Sequence, residues 1–303
     1  MDKATLFAAY LAENSIAVRR DVPLSEQSTF CIGGPADLFL EPKSEDEIAK
    51  AFAFAAGHDI PLLVLGKGSN VLFSDGGYRG AVLHLGDAFK QKRQEAETDI
   101  VCEAGLGLSE LCKYAEKKGL AGLEFAYGIP GSVGGAVYMN AGAYGSEIKD
   151  VIISARFLAP DGSVKELGAD QMGLGYRRSA FMNMGGIITG ATFRLTPDCP
   201  REIKTRMDDY ISRRRHTQPL MQPSAGSTFK RPAGNYAAAL IDGCGLKGLA
   251  VGGAAVSEKH AGFVVNTGGA TCKDVLSLIG KIKEEVKAKT GYDLECEVRI
   301  IDS

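Results

Sequence analysis

The chain has 303 residues, of which 45% are hydrophobic and 24% are charged, a balance typical of globular proteins and far from disordered or membrane classes. The 35 basic and 37 acidic residues nearly cancel, leaving a formal net charge of −2. No overall field therefore draws the protein onto nucleic acid or an anionic membrane, and an anionic ligand needs a local site.

The beginning of the chain lacks the pattern of a secretory signal, because Asp2 and Lys3 precede a short apolar stretch at 6–11. The seven cysteines are scattered singly, with no CxxC pair and no histidines at metal-ligand spacing. We therefore expect a cytoplasmic protein with reduced thiols and no metal. The oligomeric state is left open by the sequence, which is compatible with a monomer.

The first half of the chain predicts helices and strands around two glycine-rich stretches. Ser44 and Glu47 form a capping-box pattern, and the apolar run Leu62–Leu65 ends abruptly in glycine. Residues 122–145 hold seven glycines and cannot form an ordinary helix. The predicted elements are a helix at 3–17, a strand at 37–40, a helix from 44, strands at 62–65, 81–86 and 100–104, and a helix at 108–118.

The second half predicts more strands and three further helices, which makes the fold class α+β. Two prolines at 197–200 indicate a boundary between domains 1–197 and 198–303. The predicted elements are strands at 151–159 and 186–196, helices at 201–215 and 235–242, strands at 249–256 and 262–266, a helix from Thr271 to Gly291, and a last strand at 294–301.

The two glycine-rich stretches favour a ligand that carries phosphate. Gly66–Asn70 can turn successive backbone N–H groups inward to form an anion-binding nest, and the bare backbone from Gly128 to Gly145 suits close approach to a flat or charged ligand. A tight strand-to-loop turn is the plainer alternative for Gly66–Asn70. The spacing is not a dinucleotide fingerprint, because Ser69–Val71 stand where the third glycine is required.

Three further segments contain side chains that could take part in binding or catalysis. Arg177 could bind a carboxylate bidentately, although a lone arginine more often forms a surface salt bridge. Ser227 and Lys230 lie in a segment of small residues that could equally be an ordinary loop. On a strand, Glu297 would share one face with Glu295 and Arg299, as it also would on a solvated edge.

Six motifs, in this order along the chain, resemble the UDP-N-acetylenolpyruvoylglucosamine reductases of bacterial peptidoglycan synthesis. Any one of them is weak evidence, whereas their shared order across nearly the whole chain is specific. They are Thr29–Ala36, Leu65–Asn70, Ile129–Gly134, Tyr176–Arg177, Gly226–Lys230 and Glu297–Arg299.

The resemblance implies an FAD-binding domain of the vanillyl-alcohol-oxidase type in two lobes, and a smaller α+β substrate domain whose last strand returns towards the active site. It also implies non-covalent FAD and NADPH as co-substrate. The residues that it assigns to cofactor binding are Gly66, Lys67, Gly68, Ser69, Asn70, Val71, Gly131, Ser132, Gly134, Gly135, Asn140, Ala141 and Gly142.

The same resemblance implies that the enolpyruvyl ether of UDP-N-acetylglucosamine is reduced to UDP-N-acetylmuramate. Arg177 would polarise the substrate carboxylate, Ser227 would deliver a proton, and Glu297 would assist it. The substrate contacts expected beside these catalytic residues are Tyr176, Arg215, Gln218 and Lys230.

The sequence departs from the family pattern at two points, and two other functions are compatible with the motifs. The spacing from Arg177 to Ser227 is 227 − 177 = 50 positions, as in the short subtype that lacks a tyrosine-bearing lid loop, and Arg231 stands where many relatives carry asparagine. One rival is a flavin-dependent alcohol or sugar oxidase of the same fold. The other is a non-catalytic nucleotide-sugar binding protein.

Overall fold

The computed structural model describes residues 2–302; residues 1 and 303, the outer ends of the two predicted domains, lie outside them. The α-helices are α1 (Lys3–Glu13), α2 (Glu45–Gly57), α3 (Leu108–Lys117), α4 (Val133–Tyr138), α5 (Pro200–Thr217), α6 (Ala237–Gly243) and α7 (Cys272–Thr290). The strands of the first half are β1 (Val18–Pro23), β2 (Pro35–Leu40), β3 (Leu62–Leu65), β4 (Val71–Phe73), β5 (Tyr78–His84), β6 (Lys92–Gln94), β7 (Asp99–Glu103), β8 (Leu120–Ala121), β9 (Gly142–Ala143) and β10 (Ser146–Glu147). The remaining strands are β11 (Ile152–Leu158), β12 (Val164–Gly168), β13 (Ile187–Arg194), β14 (Thr196–Pro197), β15 (Ala250–Val251), β16 (Ala254–Val256), β17 (Val264–Asn266) and β18 (Arg299–Ile301).

Local capping signals give the most accurate boundaries. The Ser44 hydroxyl accepts a hydrogen bond from the N–H of Glu47 and begins α2. Helix α7 begins at Thr271 with the predicted capping box to Asp274 and ends at Gly291, which has φ +77°. Strand β3 covers the predicted residues 62–65.

Several predicted elements are shorter in the structure than the sequence indicates, three of them for a clear local reason. Helix α1 ends at Glu13 instead of residue 17, because Ser15 has a positive φ of 60°. The strand predicted at 249–256 is divided into β15 and β16 by a turn at Gly252, where φ is +53°. The last strand begins at Arg299 instead of Leu294, so Glu297 lies before it.

The glycine-rich segment 122–145 contains one short α-helix, which the sequence does not predict. Helix α4 has six residues, and the Ser132 hydroxyl accepts from the N–H of Gly135 at its start. A Cβ on Gly134 would lie 2.9 Å from the Cβ of Ala104. Glycine is required in this helix by close packing, which offsets its low helix propensity.

The chain forms two compact units, each assembled from separate segments. Among the described residues, the first extends to residue 20 and includes 38–67 and 80–213, and the second consists of 21–37, 68–79 and the chain from residue 214 onward. The predicted limit at 197/198 falls inside the first unit, shortly before α5, and as a limit between domains it stays a prediction.

The first unit is built on a five-stranded antiparallel sheet with the order β12-β11-β13-β7-β6. Its main core joins this sheet to α3 and α4 through side chains such as Leu111, Val137 and Phe193, all fully buried. A second sheet has the order β1-β2-β5-β3, in which β3 and β5 run parallel. Each fully buried aliphatic or aromatic side chain contributes about 1.5–3 kcal/mol.

The second unit has its own core, formed around α7 and the antiparallel sheet β15-β16-β17. The buried face of α7 repeats every three or four residues, at Val275, Leu278, Ile282 and Val286. Strands β4 and β18 pair in parallel in this unit. Among the described residues, no helix has the length and apolar character needed to span a membrane.

Candidate active site

The first glycine stretch leaves its backbone amides available. Strand β3 ends at Leu65, and none of the N–H groups from Gly66 to Asn70 donates a hydrogen bond to any residue that the structure describes. Gly68 has φ +60°, and a Cβ there would lie 2.0 Å from the carbonyl oxygen of Gln27. This loop therefore requires glycine, and consecutive free N–H groups of this kind suit an anion.

Lys67 adds a positive charge to the first stretch. A Cβ on Gly107 would lie 2.6 Å from the Lys67 Nζ, so the ammonium lies against Gly107, which forms an isolated bridge with Ser132. A Cβ on Gly66 would in turn lie 2.7 Å from the Ser132 Oγ. The two glycine stretches thus approach each other at Gly66 and Ser132, beside a lysine. Free amides and an ammonium fit the diphosphate of a dinucleotide such as FAD.

The second stretch uses its amides within the protein. Hydrogen bonds to backbone carbonyls or to the Ser132 hydroxyl engage the N–H groups of Gly131, Val133, Gly134, Gly135, Ala136, Met139, Asn140 and Ala141. Those amides form no free nest, because they close α4 and the turns on either side of it. A contact of this stretch with a cofactor stays a prediction.

Asn140 is the most enclosed of the predicted cofactor residues, with no solvent exposure. Its Nδ2 donates to the Glu147 Oε2 (2.8 Å) and to the carbonyl oxygen of Gly175 (2.9 Å), and its Oδ1 accepts from the N–H of Lys149 (2.9 Å). Both amide hydrogens are used by these bonds. Gly142 is fixed by its surroundings, because a Cβ there would lie 2.8 Å from the Glu147 Cγ.

Arg177 lies at the tip of a tight turn in the first unit. Gly175 and Arg178 exchange two backbone hydrogen bonds of 3.0 and 3.1 Å, which leaves Tyr176 and Arg177 as the central residues. Arg177 has φ +52°, and its Nη2 makes a long 3.4 Å bond to the carbonyl oxygen of Gly142. Its guanidinium lies 5.3 Å from the ring centre of Tyr176, which is exposed. The turn presents an arginine and an aromatic ring together.

Ser227 and Glu297 lie on neighbouring extended segments of the second unit. Ser227 forms an isolated bridge with Phe263, and the carbonyl oxygen of the next residue, Thr228, accepts from the N–H of Glu297 at 2.8 Å. Thr228 is buried, and its hydroxyl accepts from the N–H of Val264 at 3.0 Å. The backbone beside the serine is therefore bonded to both flanking segments, one of which carries Glu297.

Asn70 connects the first glycine stretch to the extended segment that carries Glu297. Its Nδ2 donates to the carbonyl oxygen of Glu297 (3.3 Å), and its own carbonyl oxygen accepts from the N–H of Arg299 (3.0 Å). The parallel pairing of β4 with β18 begins at the next residue, where Val71 is aligned with Arg299. Asn70 thus bonds to the backbone on both sides of Val298, immediately beyond the predicted catalytic glutamate.

The predicted substrate residues of the second unit differ in how their polar atoms are used. The Lys230 Nζ bonds to the Glu295 carboxylate, so its charge already has a partner. The backbone carbonyl of Arg215 accepts from the Lys259 Nζ. The Gln218 Oε1 is buried and has no hydrogen-bond partner among the described residues. A buried amide oxygen without a donor is costly and indicates a missing partner, such as water or a ligand.

Two contributing residues have no signal in the sequence. Glu147 and Ser179 both lie close to the turn that carries Arg177, since Glu147 accepts from Asn140 and the Ser179 hydroxyl donates to the carbonyl oxygen of Tyr138. The sequence assigns neither residue a role, because their partners are 7 and 41 positions away and only the fold brings them together.

Two family models match the chain. Residues 36–168 match the FAD binding domain, and residues 218–301 match the UDP-N-acetylenolpyruvoylglucosamine reductase C-terminal domain. Both glycine stretches lie in the first range, and Ser227, Lys230 and Glu297 lie in the second. Arg177 lies between the two ranges. The predicted FAD-binding fold class is confirmed by the first match.

Relatives and a solved structure resemble the chain over nearly its whole length. A UDP-N-acetylenolpyruvoylglucosamine reductase from Lachnoclostridium phytofermentans is 48% identical over 282 residues, 92% of this chain and 91% of that protein. One from Syntrophomonas wolfei is 45% identical over 284 residues, 94% and 95% of the two chains. The crystal structure of the Thermus caldophilus reductase has a TM-score of 0.82 and 35% identity, covering 94% of this chain and 99% of that one.

Proposed function

Because the chain belongs to the UDP-N-acetylenolpyruvoylglucosamine reductase family, we propose that it reduces UDP-N-acetylglucosamine enolpyruvate to UDP-N-acetylmuramate for peptidoglycan synthesis. NADPH is the reductant and non-covalently bound FAD is the cofactor. The observation that supports this most directly is a set of hydrogen bonds that joins three segments, those of Asn70, Glu297 and Thr228, the residue after Ser227. The segment of Asn70 belongs to a cofactor motif, and the other two belong to catalytic motifs.

FAD would be held at its diphosphate by the amides of Gly66–Asn70 and by Lys67. These amides have no other acceptor among the described residues, and the ammonium lies beside Ser132 and Gly107. The chemistry that FAD supplies when bound is the relay of a hydride from NADPH to the vinyl carbon of the enolpyruvyl group. The protein residues have to bind the substrate, stabilise charge and provide a proton.

Arg177 acts on the substrate carboxylate. Reduction at the vinyl carbon leaves enolate character on the carboxylate side, and a guanidinium there offers charge and two parallel donors. Tyr176 extends the same contact surface with its exposed ring. A serine hydroxyl delivers the proton to the neighbouring carbon, and we assign this step to Ser227.

Glu297 supports proton delivery by Ser227. A serine hydroxyl is a poor acid on its own, so we assign the support of proton release to Lys230 or to a water chain that ends at Glu297 and returns a proton to the serine oxygen. The backbone bond from Glu297 to Thr228 keeps the two segments in register. Mispositioning of such groups by about 1 Å is enough to slow a reaction about 100-fold.

Lys230, Gln218 and Arg215 contribute to binding the rest of the substrate. Lys230 would exchange its bond to Glu295 for one to a substrate anion, which costs little because Glu295 is well exposed, at 73% of its side chain. The Gln218 Oε1 would gain the donor that it lacks in the described protein. These contacts need no lid loop.

We place the protein in the cytoplasm, without nucleic-acid or membrane partners, and the oligomeric state stays open, with a monomer compatible with the sequence. The seven cysteines are free thiols in the structure. Gel filtration of the purified protein measures the oligomeric state directly.

The experiment that tests this function is anaerobic visible spectroscopy of the purified protein. NADPH should bleach the flavin, and the enolpyruvyl substrate should restore its colour and yield UDP-N-acetylmuramate. In Ser227→Ala the bleaching should be unchanged, while turnover should fall at least about 100-fold, as for loss of a general acid. A colourless protein, or a flavin recoloured by oxygen but not by the substrate, would contradict the proposal.

A further inference from the structure

The side chain of Asn140 has only one orientation that satisfies its neighbours. A carboxylate and a carbonyl oxygen can only accept, so the Glu147 Oε2 and the Gly175 oxygen both require Nδ2. The N–H of Lys149 can only donate, so it requires Oδ1. Three independent partners therefore distinguish the amide from a carboxylate of the same shape.

Glu147 is held as a carboxylate in this cluster. Although partial burial raises the pKa of the Glu147 carboxyl, hydrogen bonds from Lys149 and Asn140 and the charge of Arg177 keep that pKa below its ordinary value. The Lys149 Nζ lies 2.9 Å from the Glu147 Oε2. An ionised Glu147 can only accept hydrogen bonds, so it fixes the orientation of the Asn140 amide.

The turn that carries Arg177 is tied to the same stretch of chain on both sides. Asn140 holds the carbonyl oxygen of Gly175, and the buried Ser179 donates to the carbonyl oxygen of Tyr138 at 2.6 Å. The turn therefore depends on residues 138–149 for its position.

Arg177 needs such support because its backbone is unfavourable. Its φ of +52° lies in the left-handed region, which costs about 1–2 kcal/mol for a residue with an ordinary side chain. The bond from its Nη2 to the Gly142 oxygen is long at 3.4 Å. The Asn140 bond is shorter, at 2.9 Å, and its donor side chain has no solvent exposure, so it is better placed to fix the turn.

We propose that Asn140, oriented by Glu147, is a positioning residue for Arg177, and that its side chain does not bind the cofactor. Both of its amide hydrogens are used within the protein, which leaves none for a ligand. This inference rests on the proposed function of Arg177 in binding and polarising the substrate carboxylate. It predicts that a defect at Asn140 affects the reaction with substrate and spares the reaction with NADPH.

The direct test is Asn140→Asp in the full-length holoenzyme, with flavin reduction and reoxidation measured separately by anaerobic stopped flow. The introduced carboxylate would face two acceptors, so we expect kcat/KM for the enolpyruvyl substrate to fall about 100-fold through displacement of Arg177. Flavin content and the rate of reduction by NADPH should stay within about twofold of wild type. Asn14→Asp is the matched control, because Asn14 also donates to a carbonyl oxygen but caps the C-terminus of α1.

Two rescues separate positioning from general damage. Asn140→Asp combined with Glu147→Gln restores a donor opposite the introduced carboxylate and should regain at least about tenfold in kcat/KM. Lowering the pH from about 8 to about 6 should also improve Asn140→Asp relative to wild type, because burial and a neighbouring carboxylate raise the pKa of the introduced acid and let it donate.

Ser179→Ala provides a second test if Asn140→Asp does not fold. It removes the other tie of the turn and should reduce reoxidation by the substrate about tenfold, again with unchanged reduction by NADPH.

The results that would overturn the inference are loss of flavin from folded Asn140→Asp, or reoxidation by substrate at the wild-type rate in the variant that is measured. A wild-type enzyme that is reduced by NADPH but never reoxidised by the substrate would instead overturn the proposed function.

Discussion

The two glycine-rich stretches look alike in the sequence but use glycine for different purposes. Between Gly66 and Asn70 the N–H groups have no acceptor among the described residues. Between Gly131 and Ala141 most N–H groups bond to backbone carbonyls, and Gly134 is needed because Ala104 packs against it. A high glycine content therefore indicates that other atoms approach the backbone closely. The hydrogen bonds of the backbone N–H groups show whether those atoms belong to the protein or are left for a ligand.

The largest effect expected from this comparison is that of Gly68→Ala. The added Cβ would meet the Gln27 carbonyl oxygen at 2.0 Å, and φ is +60°, so the loop has to move. The purified variant should contain essentially no FAD, as measured by the ratio of flavin to protein absorbance. Gly57→Ala is the control, because nothing lies within 4 Å of a Cβ there. Normal flavin content in Gly68→Ala would contradict a nest at this loop.

Gly134→Ala should act on stability more than on the cofactor. Its Cβ would lie 2.9 Å from the Cβ of Ala104, an overpacking that costs about 1–3 kcal/mol of unfolding free energy. Chemical denaturation of the apoprotein measures that cost, and FAD titration should give a nearly unchanged affinity. A large loss of affinity at unchanged stability would show that the second stretch also grips the ligand.

Lys67→Met should weaken FAD binding moderately and make it less sensitive to salt. The ammonium lies beside Gly107 and Ser132, and loss of one charge-assisted contact costs about 1.5–3 kcal/mol, roughly 10–150-fold in affinity. FAD titrations at low and high ionic strength measure both effects. Lys165→Met on β12 is a control for the loss of charge alone. Equal salt dependence in Lys67→Met and wild type would argue against contact with the diphosphate.

The smallest expected effect is a difference in pH dependence between the stretches. Glu147 supports the second stretch, and hydrogen bonds from Lys149 and Asn140 lower the pKa of its carboxyl although partial burial raises it. A depressed pKa contributes stability that is present above the unfolded-state value and is lost as the pH falls through the folded-state pKa. Wild type should therefore lose more stability than Glu147→Gln below the ordinary carboxyl pKa. The same pH dependence of unfolding free energy in wild type and Glu147→Gln would show that the Glu147 carboxylate does not stabilise the second stretch.

Local signals in the sequence were sufficient for much of the fold. The capping pair of Thr271 and Asp274 and the left-handed Gly291 define α7 at both ends. The apolar run 62–65 forms β3. These elements were predictable because the atoms that stabilise their ends or faces lie within a few residues of one another.

Predictions failed where distant segments decide the outcome. The last strand is short because the backbone at 295–297 bonds to Thr228 and Lys230 instead of extending β18. The N-terminus of α7 receives a second cap, since the Asp75 carboxylate accepts from the N–H groups of Cys272 and Lys273. Nothing near Asp75 in the sequence indicates that partner.

The family, the α+β class and the segments that contain a cofactor loop and reactive side chains can all be read from the sequence, because motif order and local periodicity are properties of the chain. Which backbone amides are free and which are used follows from the fold. The fold also determines that Asn70 holds the segment of Glu297, while Asn140 holds the turn of Arg177. The physical reason is that a hydrogen bond depends on the partner that folding brings within about 3 Å, and for these residues that partner is 35 or 227 positions away.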